Sequence, residues 1–261
     1  MKKYWAILST QVVNSLAYPG DFLGRSVSIV VFMLIFAGLW RATFAAAGSE
    51  SINGLTFPNM LWYLLMCEVI ELGRPRVNRV ISEQVKSGEV AYLLSKPYNF
   101  LVYHFFHGLG DGGVRATLNL LVGIPAVWLL VGPPPTLIGW GMAVTLAFGA
   151  WVLHFCMMSL IGLLAFLVEE TNSFELIYQK AVFILGGMLL PLDMFPGWLQ
   201  PITKSLPFAY MMYAPARLFV KPDLTLFWQF LSVQWIWIIV LVFLLGLAYR
   251  SSVRSLAVNG G

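Results

Sequence analysis

Two residue pairs in this chain place ionisable side chains at helical spacing inside otherwise apolar stretches. Asp111 and Arg115 stand four apart and Glu68 and Glu71 three apart, and both spacings put the partners on one helical face. An i,i+4 ion pair that neutralises both groups is preferred for Asp111 and Arg115 over a substrate contact. Glu68 and Glu71 have Arg74 and the polar stretch after it within reach, which again favours structural pairing. The three histidines, His104, His107 and His154, are too scattered for a metal site. His104 and His107 read as polar packing where a helix enters a membrane rather than as a proton relay. Cys67 and Cys156 lie in apolar runs without a Cys or His at ligand spacing, and read as small packing residues. No Lys follows a Gly anywhere, so the phosphate-cradling GxxxxGK[ST] loop is absent, as are HExxH, GxSxG and CxxC. The chain is therefore expected to bring no catalytic residue, metal or cofactor of its own.

The elements that must hold these residues belong in lipid. Of 261 residues, 59% are hydrophobic and 11% charged, against roughly 25% charged in a soluble domain. So few charges cannot coat a globule of this size in water, whereas a bilayer tolerates the apolar surface. The net charge of +4 does not indicate nucleic acid, because no basic stripe is interleaved with exposed aromatics. Basic residues beside anionic lipid explain it.

A span needs about 20 apolar residues. Residues 1–20 fall short and read as an amphipathic helix in the membrane interface, ended by Pro19 and Gly20. Six spans are expected at about 22–44, 57–72, 100–131, 137–168, 176–192 and 226–249. The third is expected to break around Gly108, Gly110, Gly112 and Gly113, and the fourth to tilt or protrude. Residues 73–99 form the most polar stretch, and 193–223 are too rich in Pro and aromatics to span. With the N-terminus inside, eleven of the sixteen Lys and Arg fall on the cytoplasmic side and four outside, with Arg115 in the membrane, so both termini are expected in the cytoplasm. Gln11, Asn14 and Asp21 interrupt any signal-peptide core, which predicts a retained first helix.

The polar stretch carries the most information. Val80, Ile81, Val85 and Val90 alternate with polar residues so that 76–87 predicts a short amphipathic helix, with Gly88 ending it and Pro97 stopping the segment beyond. From the residues alone this is either a helix lying on the membrane or one offering Arg79, Glu83, Lys86 and Glu89 to a cytoplasmic partner. The run ISEQVKSGEVAYLLSKP resembles the pattern I-x-x-x-[IV]-x-x-G-x-[IVL]-x-x-x-L-x-[KR]-P of the membrane subunits of ABC-2 type ATP-binding cassette exporters. A distant second run, GGMLLPLDMFPGWLQPITKSLPFAYMMYAPARLF, resembles the same family's segment between its fifth and sixth helices. The two fall in the family's order, and the resemblance covers essentially the whole chain.

The resemblance implies an all-α integral membrane domain of the ABC-2, or type V exporter, kind. It has six transmembrane helices, an N-terminal elbow helix, a cytoplasmic coupling helix and an extracellular re-entrant hairpin. The coupling role falls to Arg79, Ile81, Glu83, Gln84, Lys86, Gly88 and Glu89. The hairpin or outer gate falls to Pro191, Pro196, Trp198, Pro207, Phe208 and Tyr210. ATP and Mg would be bound by a separate nucleotide-binding subunit. A second permease, either a copy of this chain or, as the favoured alternative, a related non-identical one, would complete the pathway, with membrane lipid around it and no nucleic acid involved. The aromatic and Met-rich surfaces suit an amphiphilic cargo such as a lipid, drug or peptide, in the plasma membrane of a bacterium. An ion-coupled secondary transporter or channel, or a non-transporting membrane scaffold, stands as the alternative.

Overall fold

The computed structural model describes residues 2–17, 19–134, 136–168 and 170–259. The chain is almost wholly helical. Helix α1 (Lys2–Ala17) is followed by α2 (Pro19–Ala47), a two-stranded hairpin β1 (Ser51–Ile52) and β2 (Leu55–Thr56), and α3 (Phe57–Gly73). Two short helices come next, α4 (Val77–Lys86) and α5 (Glu89–Leu94). The long α6 (Phe100–Val131) and α7 (Leu137–Leu163) precede α8 (Asn172–Leu185). The chain ends with α9 (Leu199–Ser205), α10 (Pro207–Met211), α11 (Tyr213–Val220) and α12 (Leu224–Asn259).

Among the described residues four stretches are long and apolar enough to cross a membrane: Val27–Ala47, Phe100–Val131, Leu137–Phe166 and Leu224–Arg254. Helix α3, at 17 residues, and α8, at 14, would rise about 26 Å and 21 Å. Both are shorter than the roughly 30 Å of a hydrocarbon core. Helix α3 is the centre of the bundle. Met60 through Ile70 are all buried, because α2, α6 and α11 pack around it. Helix α8 packs chiefly on α10 and only thinly on α7.

Several expectations from the sequence need correction. Helix α6 is unbroken across Gly108, Gly110, Gly112 and Gly113. Three of these glycines mark close approach rather than a break. A Cβ on Gly108 would strike Pro75, one on Gly110 would strike the Leu8 carbonyl, and one on Gly112 would overlap the Gly73 carbonyl. The helix expected over 176–192 stops at Leu185, and the chain turns through Gly187, whose φ of +75° suits glycine. The last helix does not end at 249 but runs on past Arg250 and Arg254. The small polar loop before α3 holds the hairpin, turned by Asn53 and Gly54 with φ of 49° and 73°. This is the Asn-Gly signature of a two-residue turn.

Helix α1 lies along the first half of α6. Tyr4 stacks on Phe106 at 5.6 Å and its hydroxyl accepts from the Asn99 N–H at 3.1 Å. Trp5, Val13 and Leu16 point away from the protein, 67%, 67% and 56% exposed. Ile7, Leu8 and Val12 are half-buried towards the bundle and Ser15 is buried there, so the side of α1 left open carries both apolar residues and Ser9, Thr10 and Asn14.

Candidate functional site

Helix α4 forms one end of the bundle. Its sequence, VNRVISEQVK, puts Val77, Asn78, Ile81 and Ser82 on one buried face. That face seats on α7 at Gly162, where an added Cβ would lie 2.9 Å from the Ile81 side chain and 3.0 Å from the Asn78 carbonyl oxygen. Ser82 Oγ accepts a hydrogen bond from Thr171 at 3.2 Å. Asn78 Nδ2 and Arg79 Nε both donate to Glu175 Oε2, at 2.9 and 3.1 Å, which ties α4 to the first turn of α8. Glu175 also accepts from Gln179 at 2.9 Å.

The opposite face of α4 is open. Val80, Glu83 and Lys86 are exposed, as are Gly88 and Glu89 beyond the helix end, and the Arg79 side chain is 66% exposed despite its ion pair. Gly88 has φ of +76° and lets α5 start in a new direction, where Tyr92 is 60% exposed. Of the seven residues singled out in this stretch, Ile81 is fully buried and anchors the helix, Gln84 is half-buried, and the other five lie on the open side.

At the opposite end of the bundle, residues 186–220 form a single helical turn at Leu192–Met194 and the short helices α9, α10 and α11, with a backbone tied down by side chains from distant elements. Tyr63 donates its hydroxyl to the Gly187 carbonyl at 2.5 Å. Gln234 Nε2, fully buried on α12, donates to the Leu146 and Tyr210 carbonyls, both at 2.9 Å. Trp237 donates to the Ser205 carbonyl at 3.2 Å. Irregular backbone is tolerated at membrane depth only when its groups are satisfied in this way. Pro191, Pro207 and Tyr210 are buried and Phe208 half-buried, whereas Pro196 and Trp198 lie on the surface, Trp198 being 70% exposed.

Asp193 organises this end, and sequence reasoning missed it. Its carboxylate accepts from Lys204 Nζ at 3.0 Å, Arg217 Nε at 3.0 Å and the Tyr213 hydroxyl at 2.7 Å. Its carbonyl accepts from Asn53 of the hairpin turn at 2.8 Å. Burial by itself would raise the Asp193 pKa. The hydrogen bonds from Tyr213 and Lys204, the charge of Lys204 and the hydrogen bond from Arg217 outweigh it and hold the group below its ordinary value. Tyr213 is pushed the other way, by burial first and by the Asp193 charge second. The four partners are separated by up to 164 positions in sequence (Asn53 to Arg217), so no local pattern announced the cluster.

Within the bundle, Asp111 Oδ2 and Arg115 Nη2 stand 2.9 Å apart. Arg115 also donates to the Arg74 carbonyl at 2.9 Å, just past the C-terminus of α3, where a cation is favoured. Asp111 accepts from Ser15 of α1 at 3.2 Å. The pair therefore joins α1, α3 and α6. Glu71 pairs with Arg74 at 3.0 Å, while Glu68 is buried without a hydrogen bond or ion pair among the described residues. His104 packs edge-on against Phe100, and His154 Nδ1 meets the Tyr178 hydroxyl at 2.5 Å. Among the described residues no three metal-ligating side chains converge.

These features define a multi-pass α-helical membrane protein with an anchored amphipathic helix at one end and a polar-tied irregular segment at the other. The family model described as ABC-2 family transporter protein matches residues 27–260, and the chain belongs to that family, the membrane components of ATP-binding cassette transporters. Membership implies association with an ATP-binding cassette ATPase subunit. None of the curated proteins compared with the chain matches it.

Proposed function

We propose that this chain is the permease subunit of an ATP-driven exporter in a bacterial plasma membrane, carrying an amphiphilic cargo out of the cytoplasm or its leaflet. In this reading α2, α3, α6, α7, α8 and α12 are the six spans and both termini are cytoplasmic. Helix α1 is the elbow, α4 with the start of α5 is the coupling element, and 191–213 is the outer closure. ATP and Mg act on the separate ATPase subunit, and a second, non-identical permease supplies the other half of the pathway.

The observation that carries the reading is the two-sidedness of α4. One face is locked into α7 at Gly162 and clasped to α8 through Glu175, and the other presents Arg79, Val80, Glu83 and Lys86 with no cover from the described residues. A helix resting on lipid would turn its apolar face outward. Here the apolar face is turned into the protein, and the outward face is charged, as a protein partner requires. A force applied to that face reaches α7 and α8 directly.

The test is ATPase activity of a co-expressed nucleotide-binding subunit, with and without this chain. Stimulation is expected, and Glu83→Arg or Gly88→Pro should remove it while the chain still inserts. Glu83 is exposed, so its replacement leaves the fold alone. Full stimulation in both variants would refute the assignment.

A further inference from the structure

A cavity of about 270 Å³ lies between α3 and α8, lined by Glu68, Glu71, Gln179, Lys180, Phe183 and Met188 among others. Its polar wall is rich in acceptors. Glu68 is only 8% exposed and has no hydrogen-bond or ion-pair partner among the described residues. Glu71 gives one oxygen to Arg74, and the other, Oε2, is buried with no partner. The amide nitrogen of Gln179 is committed to Glu175, which leaves its carbonyl oxygen as an acceptor. Lys180 lines the same cavity from the exposed side and makes no ion pair with either carboxylate. Val182, Phe183 and Met188 supply an apolar wall.

An ionisable side chain buried in a membrane protein without a partner is costly and marks a place where something else arrives. We propose that this cavity receives a protonated primary amine borne on an apolar body, with Glu68 and Glu71 as the groups that select the charge. An ammonium has three donors and no acceptor, which matches the two oxygens of the Glu68 carboxylate and the Gln179 oxygen, with the Glu71 carboxylate adding negative charge beside them. The cavity is smaller than the roughly 300–1,000 Å³ of a pocket that encloses a whole drug-sized ligand. It takes the charged head, and the body runs over Ile177 and Ile184, one turn either side of Lys180 and 68% and 58% exposed. A divalent metal ion suits the cavity poorly, since it asks for six or more oxygen ligands or retained water and one wall here is apolar. As a statement about cargo, the inference rests on the exporter reading above.

The experiment uses the full chain in phosphatidylcholine nanodiscs, with empty nanodiscs subtracted. The probes are dansylcadaverine, a primary amine on an aromatic body, and its N-acetylated, uncharged counterpart, each followed by fluorescence titration. The free amine should bind at least about tenfold more tightly than the acetylated probe. Glu68→Gln and Glu71→Gln, which keep shape and remove charge, should each reduce that preference to less than about threefold. Lys180→Met should strengthen amine binding, and being on the surface it keeps the test standing if a glutamine variant does not fold. Equal affinity for the two probes, a preference that survives both glutamine substitutions, or displacement of the amine by millimolar Mg²⁺ or Ca²⁺ would each overturn the proposal. ATPase stimulation measured separately divides the failures. Amine selectivity without stimulation keeps the site and removes the exporter reading, and the reverse removes the site alone.

Discussion

Replacing Asp193 with Ala should loosen one end of the molecule without unfolding the rest. The carboxylate accepts from Lys204, Arg217 and Tyr213, and hydrogen bonds involving charged groups contribute about 1.5–3 kcal/mol each. They do not simply add. The Lys204 side chain is 35% exposed and Asp193 24%, so water recovers part of the loss, whereas Arg217 at 16% stays largely stranded. A net cost of about 3 kcal/mol results, in the lower part of the range for breaking a partly buried pair. Because the partners sit on α9 and α11, the loss is local. Amide hydrogen exchange over Leu199–Val220 should speed up by about a hundredfold, at roughly 1.4 kcal/mol per factor of ten. Exchange in α7 and α12 should be nearly unchanged. The pH dependence has a definite sign. Asp193 is held below its ordinary value in the folded chain, so its contribution is fully present above the unfolded carboxyl pKa of about 4 and is lost as pH falls through the lower native value. Unaltered protection of that segment in Asp193→Ala at pH 7 would refute the reasoning.

Gly112→Ala should cost about 1–3 kcal/mol, because its Cβ would overlap the Gly73 carbonyl and force α3 from α6; a lowered thermal midpoint in nanodiscs measures it. Glu175→Ala should lower that midpoint more than Arg79→Ala. Losing Glu175 strands the buried Asn78 amide at about 1–3 kcal/mol, whereas Arg79 is 66% exposed and contributes less than about 1 kcal/mol. Gln234→Leu should destabilise by about 1–2 kcal/mol, and exchange at Tyr210 and its neighbours should rise with it.

The parts of the fold set by local pattern were legible, and those set by distant partners were not. Residues 76–87 predicted the helix found at Val77–Lys86, because its apolar spacing and the terminating Gly88 are both local signals. The apolar runs gave the long helices for the same reason, and with two motifs they pointed to the family that matches residues 27–260. Gly108 to Gly113 misled because glycine signals flexibility in isolation, while the structure uses three of the four for contact with α1, with Gly73 and with Pro75. Hydropathy carried the fifth run on to 192, though the turn at Gly186 and Gly187 stops the helix earlier. The Asn53–Gly54 hairpin could have been read, since Asn-Gly is the strongest short turn signal. Asp193 could not, because its meaning lies in Lys204, Tyr213, Arg217 and Asn53, none of them adjacent to it.

The lone amide of Gln234 limits how the molecule can rearrange. Apolar helices in lipid slide past one another at little cost, since tails are as good a neighbour as leucine. Gln234 reaches the carbonyls of Leu146 on one side and Tyr210 on the other, and a slip of a single residue, about 1.5 Å, would stretch or bend these bonds away from their preferred geometry. Helices α7 and α12 are thereby riveted into one frame, with α10 fastened to the same pin. Against that frame α8 is a strut, fixed at its foot by Glu175 and at its head by the Gly186 carbonyl. On the exporter reading proposed above, a push on α4 would meet this frame at Gly162 and the strut at Glu175 together.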